Sequence, residues 1–126
     1  MLALVIDDSR AMRAILGAML REAGFETLEA AHGGEALDRL QSRPDVALAL
    51  LDWNMPVMDG FEFLQRVRAR PEFDALRIMM VTTETEADQV AKALAAGANE
   101  YLMKPFPKEA LFAKLGMLDV LPDSEL

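Results

Sequence analysis

The chain has 126 residues, 52% of them hydrophobic, and its 21 acidic residues outnumber 13 basic ones to give a formal net charge of −8. Such an acidic chain is a poor match for nucleic acid, because binding to phosphates requires clustered positive charge. The sequence has no cysteine, which excludes disulfides and cysteine-ligated metals, so a bound metal would need oxygen ligands, typical of hard cations such as Mg2+.

The longest apolar runs in the sequence are too short to enter a membrane. Residues 1–6 form one such run without a basic leader, and Val46–Leu51 form another. Neither run reaches the length of a signal-peptide core or a membrane span. We therefore expect a soluble, cytoplasmic protein that does not insert into a membrane.

Five short apolar stretches recur along the chain, and each is predicted to be a β-strand. They are Leu2–Ile6, Thr27–Ala30, Val46–Leu51, Ile78–Val81 and Tyr101–Met103. The segments after them carry apolar residues three and four positions apart, which is typical of helices with one buried face. The predicted helices lie between the Ser9 cap and Gly24, at Gly34–Gln41, from Phe61 to before Pro71, at Thr85–Ala96 with a stop at Gly97, and from Pro107 to before Pro122.

The alternation of strands and helices predicts parallel strands joined by right-handed crossovers. Leu2–Ile6 and Val46–Leu51 are apolar at every position, as expected when helices cover both faces of a sheet. We therefore predict an α/β fold with a five-stranded, doubly wound parallel sheet in the flavodoxin-like order 2-1-3-4-5. One domain is predicted over residues 1–121, followed by a short tail at residues 122–126.

Polar side chains follow four of the predicted strands. Asp7 and Asp8 follow the first strand, Asp52 the third, Thr82 the fourth and Lys104 the fifth. In a parallel sheet these positions share one edge, where ligands bind beside the point at which the strand order reverses. Each residue alone has a structural explanation, but two carboxylates ~4 Å apart repel by about 4 kcal/mol at an effective dielectric near 20. Three of them together predict a cation site, and Mg2+ suits it best.

A carboxylate beside a metal ion, a lysine and a hydroxyl is the arrangement expected for phosphoryl transfer onto an aspartate. Asp52 is the preferred nucleophile because it stands alone after the most buried strand, whereas Asp7 and Asp8 are adjacent and suit metal binding. Lys104 would meet the phosphoryl charge that the metal leaves unneutralised, and the Thr82 hydroxyl would donate to another phosphoryl oxygen.

Four segments around these residues resemble the receiver domain of bacterial two-component response regulators, most closely the single-domain chemotaxis (CheY-like) type. They are Val5–Ser9, Leu51–Gly60, Val81–Glu84 and Tyr101–Phe106. The pattern Asp-x-x-Met-Pro-x-Met-Asp-Gly after an apolar strand is highly specific, and the resemblance covers nearly the whole chain.

The resemblance implies that Asp52 accepts a phosphoryl group from a histidine kinase, or from a small donor such as acetyl phosphate. It implies that Asp8, Asp52 and the backbone carbonyl of Asn54 bind Mg2+ (or Mn2+), with Asp7 acting through water. Asn54 and Glu84 would flank the water that later hydrolyses the acyl phosphate. Such a protein is a switch rather than a turnover enzyme.

The resemblance also implies how the switch signals. Lys104 and Thr82 would contact the phosphoryl oxygens, with a cis peptide bond before Pro105, and Thr82 would be coupled to Tyr101. The surface formed by the fourth helix, fifth strand and fifth helix would then bind a downstream protein. Thr83 departs from the alanine that is usual in the chemotaxis type, and its larger side chain could restrict Tyr101.

Rival classes fit the same residues less well. A haloacid dehalogenase phosphatase has two aspartates separated by one residue after its first strand, whereas Asp7 and Asp8 are adjacent. A flavodoxin has a glycine- and hydroxyl-rich first loop, whereas this one is acidic. An interaction domain that is never phosphorylated would have no use for Asp52, Thr82 and Lys104 together. The remaining alternative is a receiver domain cut from a longer regulator with an output domain.

Three smaller features complete the predictions. Arg66, Arg68 and Arg70 crowd the end of the third helix, where they complement the helix dipole. Trp53 is the single tryptophan and adjoins the predicted nucleophile, so its fluorescence is expected to report metal binding. Gly60 is expected to be structural, at a turn and helix start.

Overall fold

The computed structural model describes residues 1–83 and 86–120. Within these residues the strands are β1 Leu2–Ile6, β2 Glu26–Ala30, β3 Val46–Leu51, β4 Arg77–Thr82 and β5 Glu100–Met103. The helices are α1 Arg10–Glu22, α2 Gly33–Ser42, α3 Gly60–Arg68, α4 Ala87–Ala95 and α5 Lys108–Met117, with a 3₁₀ turn at Pro71–Phe73. The strand bounds differ from the predicted ones by at most one residue at either end.

The five strands form one parallel sheet in the order β2-β1-β3-β4-β5, which confirms the predicted topology. The chain moves outward from β1 to β2, then returns across β1 and continues in the other direction through β3, β4 and β5. The strand order therefore reverses between β1 and β3, and their carboxyl ends open a crevice at that point.

Two separate apolar cores lie on the two faces of the sheet. On one face Leu4 packs in a cluster with Phe63 and other buried residues of α2, α3 and α4. On the other face Val5 packs in a cluster with Leu16 and Leu115, from α1 and α5. Both faces of the central strands are buried, which is why these strands are apolar at every position.

The helix ends agree with local signals in the sequence. The Ser9 hydroxyl accepts a hydrogen bond from the N–H of Met12 at 3.2 Å and so caps α1. Gly24 and Gly97 follow α1 and α4 with φ of 103° and 113°, a left-handed conformation that suits glycine after a helix end. Their predicted roles as helix stops are confirmed.

Two predicted boundaries lie outside the described residues. Thr85 was the predicted start of the fourth helix, and within the described chain α4 begins at Ala87. The domain boundary at residue 121 and the tail at 122–126 remain predictions. No helix in the described ranges combines the length and the apolar character needed to cross a membrane.

Candidate functional site

Asp7 lies immediately after β1, and its buried carboxylate is held through both oxygens. Oδ1 accepts a hydrogen bond from the N–H of Ser9 at 2.8 Å, and Oδ2 accepts one from Lys104 Nζ at 2.8 Å. Arg13 of α1 donates to the Asp7 backbone carbonyl at 2.6 Å. These contacts fix Asp7 at the junction of β1, α1 and the segment after β5.

Asp52 lies at the end of β3, beside Asp7. Its N–H donates to the carbonyl of Ile6 at 2.9 Å, which carries the β1–β3 pairing one residue past the strands. Asp8 follows Asp7 and is exposed. One oxygen from each of the three carboxylates lies within 4.8 Å of the other two, close enough to bind a single ion. The structure therefore forms the acidic cluster, defined as Asp7, Asp8 and Asp52.

Lys104 enters the acidic cluster from the end of β5. The backbone N–H of Lys104 donates to the carbonyl of Thr82 at 2.9 Å, and the Lys104–Pro105 peptide bond is cis, as predicted. Its Nζ lies 2.8 Å from Asp7 Oδ2 but 3.8 Å from Asp52 Oδ2. Sequence reasoning placed Lys104 near Asp52 and did not predict that Asp7 is its nearer partner. One ammonium cannot neutralise three carboxylates, so the described cluster retains excess negative charge.

The surroundings of Asp52 disfavour its charged form. Burial raises the pKa of the Asp52 carboxyl above its ordinary value, although the Lys104 ammonium and a hydrogen bond donated by the Thr82 hydroxyl act in the opposite direction. The Asp7 carboxylate adds to the increase. A cation bound between the carboxylates would relieve this repulsion, and the all-oxygen donor set fits Mg2+.

The loop after Asp52 folds back tightly onto β3. The N–H of Gly60 donates to the carbonyl of Trp53 at 2.8 Å. A Cβ atom at Gly60 would lie 2.1 Å from the Asp52 carbonyl oxygen, which no side chain could tolerate. This close approach gives a physical reason for the structural role predicted for Gly60, since it lets α3 begin directly against the end of β3.

The fold and this cluster agree with the comparison to known proteins. The response regulator receiver domain family matches residues 3–116. The chain belongs to this family. The receiver domain is 45% identical over 113 residues to the chemotaxis protein CheY homolog of Campylobacter jejuni, and the match covers 89% of this chain and 87% of that protein.

Solved structures give the same result. The receiver domain superposes on the chemotaxis protein CheY4 of Vibrio cholerae with a TM-score of 0.86 and 38% identity, over 93% of this chain and 97% of that one. It also superposes on a chain of a CheX–CheY–BeF3–Mg complex from Borrelia burgdorferi with a TM-score of 0.88 and 25% identity, over 94% and 89% of the two chains. The protein is a CheY-like receiver domain. Members of this family are signalling switches rather than classical enzymes.

The receiver domain carries an aromatic stack beside its acidic cluster. The Trp53 ring stacks on Phe61 of α3, with centroids 5.3 Å apart and planes inclined by 13°. Lys92 of α4 places its Nζ 4.4 Å from the Phe61 centroid, in a cation–π contact. We call Trp53, Phe61 and Lys92 the aromatic stack. Sequence reasoning expected Trp53 near the site but missed both partners, because only the tertiary fold brings α3 and α4 together.

The remaining predicted site residues are Tyr101, Asn54 and Glu84. Tyr101 is buried in the core next to α2, α3 and α4, on the strand beside the one that ends in Thr82. Asn54 is exposed two residues after Asp52, and the metal-binding role of its carbonyl remains a prediction. Glu84 lies outside the described residues, so its predicted place beside a hydrolytic water is untested.

Proposed function

We propose that this receiver domain is a phosphorylation-controlled switch in chemotaxis signalling, which takes a phosphoryl group onto Asp52 and then binds a downstream protein. The observation that supports this most strongly is the convergence of side chains at one edge of the sheet. Asp52 has two further carboxylates, the Thr82 hydroxyl and the Lys104 ammonium around it. The named chemotaxis relatives support the pathway.

Mg2+ is the proposed cofactor, with Mn2+ as a substitute. Asp8, Asp52 and the backbone carbonyl of Asn54 would hold it directly, and Asp7 through a water molecule. The ion supplies charge neutralisation for the phosphoryl oxygens, so that an anionic donor can approach a carboxylate. The similar Borrelia burgdorferi complex contains Mg, which supports this choice.

The chain itself supplies the nucleophile and the groups around it. One Asp52 carboxylate oxygen forms a bond to the donor phosphorus, and the bond from phosphorus to the donor histidine nitrogen breaks, with its electron pair leaving on that nitrogen. Lys104 donates to one phosphoryl oxygen and the Thr82 hydroxyl to another as negative charge builds up there. Asn54 and Glu84 would then position the water that hydrolyses the acyl phosphate.

The proposed partners are a histidine kinase as donor and a downstream protein that binds the face formed by α4, β5 and α5. Leu94, Met103 and Met117 on these three elements are 44%, 45% and 71% exposed. Exposed apolar side chains on neighbouring elements are typical of a protein-binding surface. Thr82 and the buried Tyr101 would link this face to Asp52. The cytoplasmic location and the extent of the domain over residues 1–121 are part of the same proposal.

Intact-mass spectrometry tests the phosphoacceptor. The protein incubated with acetyl phosphate and Mg2+ should gain the mass of one phosphoryl group, and Asp52→Asn should gain none. Asp59→Asn is the matched control, because Asp59 lies in the same loop and accepts a hydrogen bond from the N–H of Glu62 that asparagine can replace. Full phosphorylation of Asp52→Asn, or none of the wild type, would contradict the proposal.

A further inference from the structure

The phosphoryl chemistry proposed above makes no use of the aromatic stack, which joins the peptide after Asp52 to helix α4. We propose that Phe61 and Lys92 are positioning residues, through which ligand binding at the acidic cluster and the position of α4 influence each other. The inference rests on the proposed function, because it concerns regulation of the phosphorylation site. The response to Mg2+ alone is measured without phosphorylation.

Trp53 must move with Asp52. The two residues are adjacent in the chain, and the Trp53 carbonyl accepts the N–H of Gly60 at the start of α3. The Trp53 side chain is buried and stacks on Phe61. A shift of the Asp52 peptide on ligand binding therefore changes the contact between these two rings.

Helix α4 is anchored by few buried side chains. Ala93 is its one fully buried residue, and within the described residues Glu86, at the N-cap position, gives no side-chain hydrogen bond to the amino end. Its Leu94 is 44% exposed. Val90 and Ala93 pack α4 against the core that also contains α3, and the contact of Lys92 with Phe61 adds a further link between the two helices.

The strength of the Lys92–Phe61 contact sets the size of the expected effect. A cation–π contact at an exposed site corresponds to about a two- to five-fold change in an equilibrium constant. Such a contact can shift the populations of two α4 positions without controlling whether the protein folds. Thermodynamic linkage is reciprocal, so if Mg2+ changes the affinity of a partner for α4 by some factor, that partner changes the affinity for Mg2+ by the same factor.

Hydrogen exchange of the α4 amides tests the proposal, measured without ligand, with Mg2+, and with Mg2+ plus acetyl phosphate. Lys92→Met keeps most of the side-chain length and removes the charge, whereas Phe61→Leu removes the ring. Lys108→Met makes the same charge change in α5, where Lys108 pairs with Glu22 at 2.7 Å, away from the stack. Phe112→Leu makes the same ring change on α5, where Phe112 is partly buried against the core on the other face of the sheet. Titration calorimetry gives the Mg2+ dissociation constant of each variant.

We expect ligand to change α4 exchange in the wild type and in both controls. Lys92→Met and Phe61→Leu should lose most of that change and alter the Mg2+ dissociation constant about two- to five-fold. Lys92 is exposed, so its variant decides the question even if Phe61→Leu is poorly folded. The inference would be overturned if neither Mg2+ nor Mg2+ with acetyl phosphate changed the exchange of the α4 amides in the wild type. An equal change in Lys92→Met would also overturn it. A wild type that binds Mg2+ with an α4 response but gains no phosphoryl mass would overturn the proposed function alone.

Discussion

The two ends of the parallel sheet hold charged side chains in opposite ways. At the amino ends of β4 and β5, the Arg68 guanidinium donates to the carbonyls of Gly97, Phe73 and Leu76 and to Asn99 Oδ1, at distances from 2.6 to 2.9 Å. At the carboxyl ends, the acidic cluster has three carboxylates, and within the described residues Lys104 lies within 4.0 Å of two of them, Asp7 and Asp52. The Arg68 guanidinium has acceptors for four of its five N–H groups, whereas the carboxylates of the acidic cluster outnumber the described cations beside them.

This difference in hydrogen bonding distinguishes Arg68, whose charge is structural, from the acidic cluster, whose charge is available to bind a cation. Arg68 was predicted to complement a helix dipole, and that interpretation was incomplete: its guanidinium ties the end of α3 to the loops before β4 and β5. The neighbouring Arg66 fits a simple surface role, since it pairs with Glu62 one helical turn away. Arg68 has most of its donors already occupied and so has little left to offer a ligand, whereas a bound cation would lower the repulsion within the acidic cluster.

Removing the Arg68 guanidinium should give the largest loss of stability. Arg68→Met is expected to lower the free energy of unfolding by about 3 kcal/mol, because three part-buried carbonyls lose their donor, a buried acceptor without a donor costs roughly 1–3 kcal/mol, and water replaces some of these bonds. Urea unfolding measures this. Arg66→Met is the matched control, and its exposed pair should cost about 0.5 kcal/mol or less. Equal losses in the two variants would remove the distinction between the two ends of the sheet.

Mg2+ should stabilise the carboxyl end specifically. At 100 times its dissociation constant, the ion is expected to add about 2.7 kcal/mol to the free energy of unfolding of the wild type. Thermal or urea unfolding at constant ionic strength measures the gain. Asp8→Asn should lose most of it, whereas Asp38→Asn, at an exposed position on α2, should keep it. A gain that survives in Asp8→Asn would indicate screening of the net charge instead of binding at the acidic cluster.

Without Mg2+, Asp52→Asn should stabilise the protein by about 1 kcal/mol at pH 7, as substitutions that relieve strain at functional sites commonly do. Burial raises the pKa of Asp52 in the folded state, so the folded protein binds this proton more tightly than the unfolded chain. The stability from the neutral carboxyl is present in acid and is lost as the pH rises through the raised pKa. The advantage of asparagine should therefore disappear below the ordinary value of 3.8.

Asp45 provides a control of opposite sign at the other end of the sheet. A hydrogen bond from Arg43 lowers the pKa of Asp45, which precedes β3 and is exposed. Its contribution is present above the ordinary pKa and is lost as the pH falls, so Asp45→Asn should not stabilise the protein at pH 7. Unfolding free energies measured from pH 3 to pH 8 compare the two variants. A gain for Asp45→Asn as large as for Asp52→Asn would show that reduced net charge is the cause.

The fold and the members of the acidic cluster were predictable because both follow from periodicity. Apolar runs and helical spacing fix the strands and helices, and parallel strands bring the residues after them to one edge. The partners of Arg68, the contact of Lys92 with Phe61 and the preference of Lys104 for Asp7 were not predictable in this way. They depend on side-chain packing between elements far apart in the sequence, for which a single sequence gives no spacing rule.

Substitution of Val57 is expected to have the smallest effect, and it tests whether the loop beside the acidic cluster carries backbone strain. It lies in the loop between Asp52 and α3, is 93% exposed and has a φ of 69°. A β-branched residue is disfavoured in this left-handed region, which asparagine adopts more readily. Val57→Asn should therefore raise the free energy of unfolding by about 0.5–1 kcal/mol.

Val57→Thr separates the backbone from the exposed apolar surface, because threonine is more polar but remains β-branched. It should leave the free energy of unfolding nearly unchanged, and an equal gain in both variants would assign the effect to surface polarity. Neither variant alters a carboxylate, so the stabilisation by Mg2+ should equal that of the wild type if the strain is confined to the loop. A weaker stabilisation by Mg2+ in Val57→Asn alone would show instead that the left-handed valine helps to hold the backbone proposed to bind the metal. The loop beside the acidic cluster would then be strained, in addition to the excess negative charge of the cluster itself.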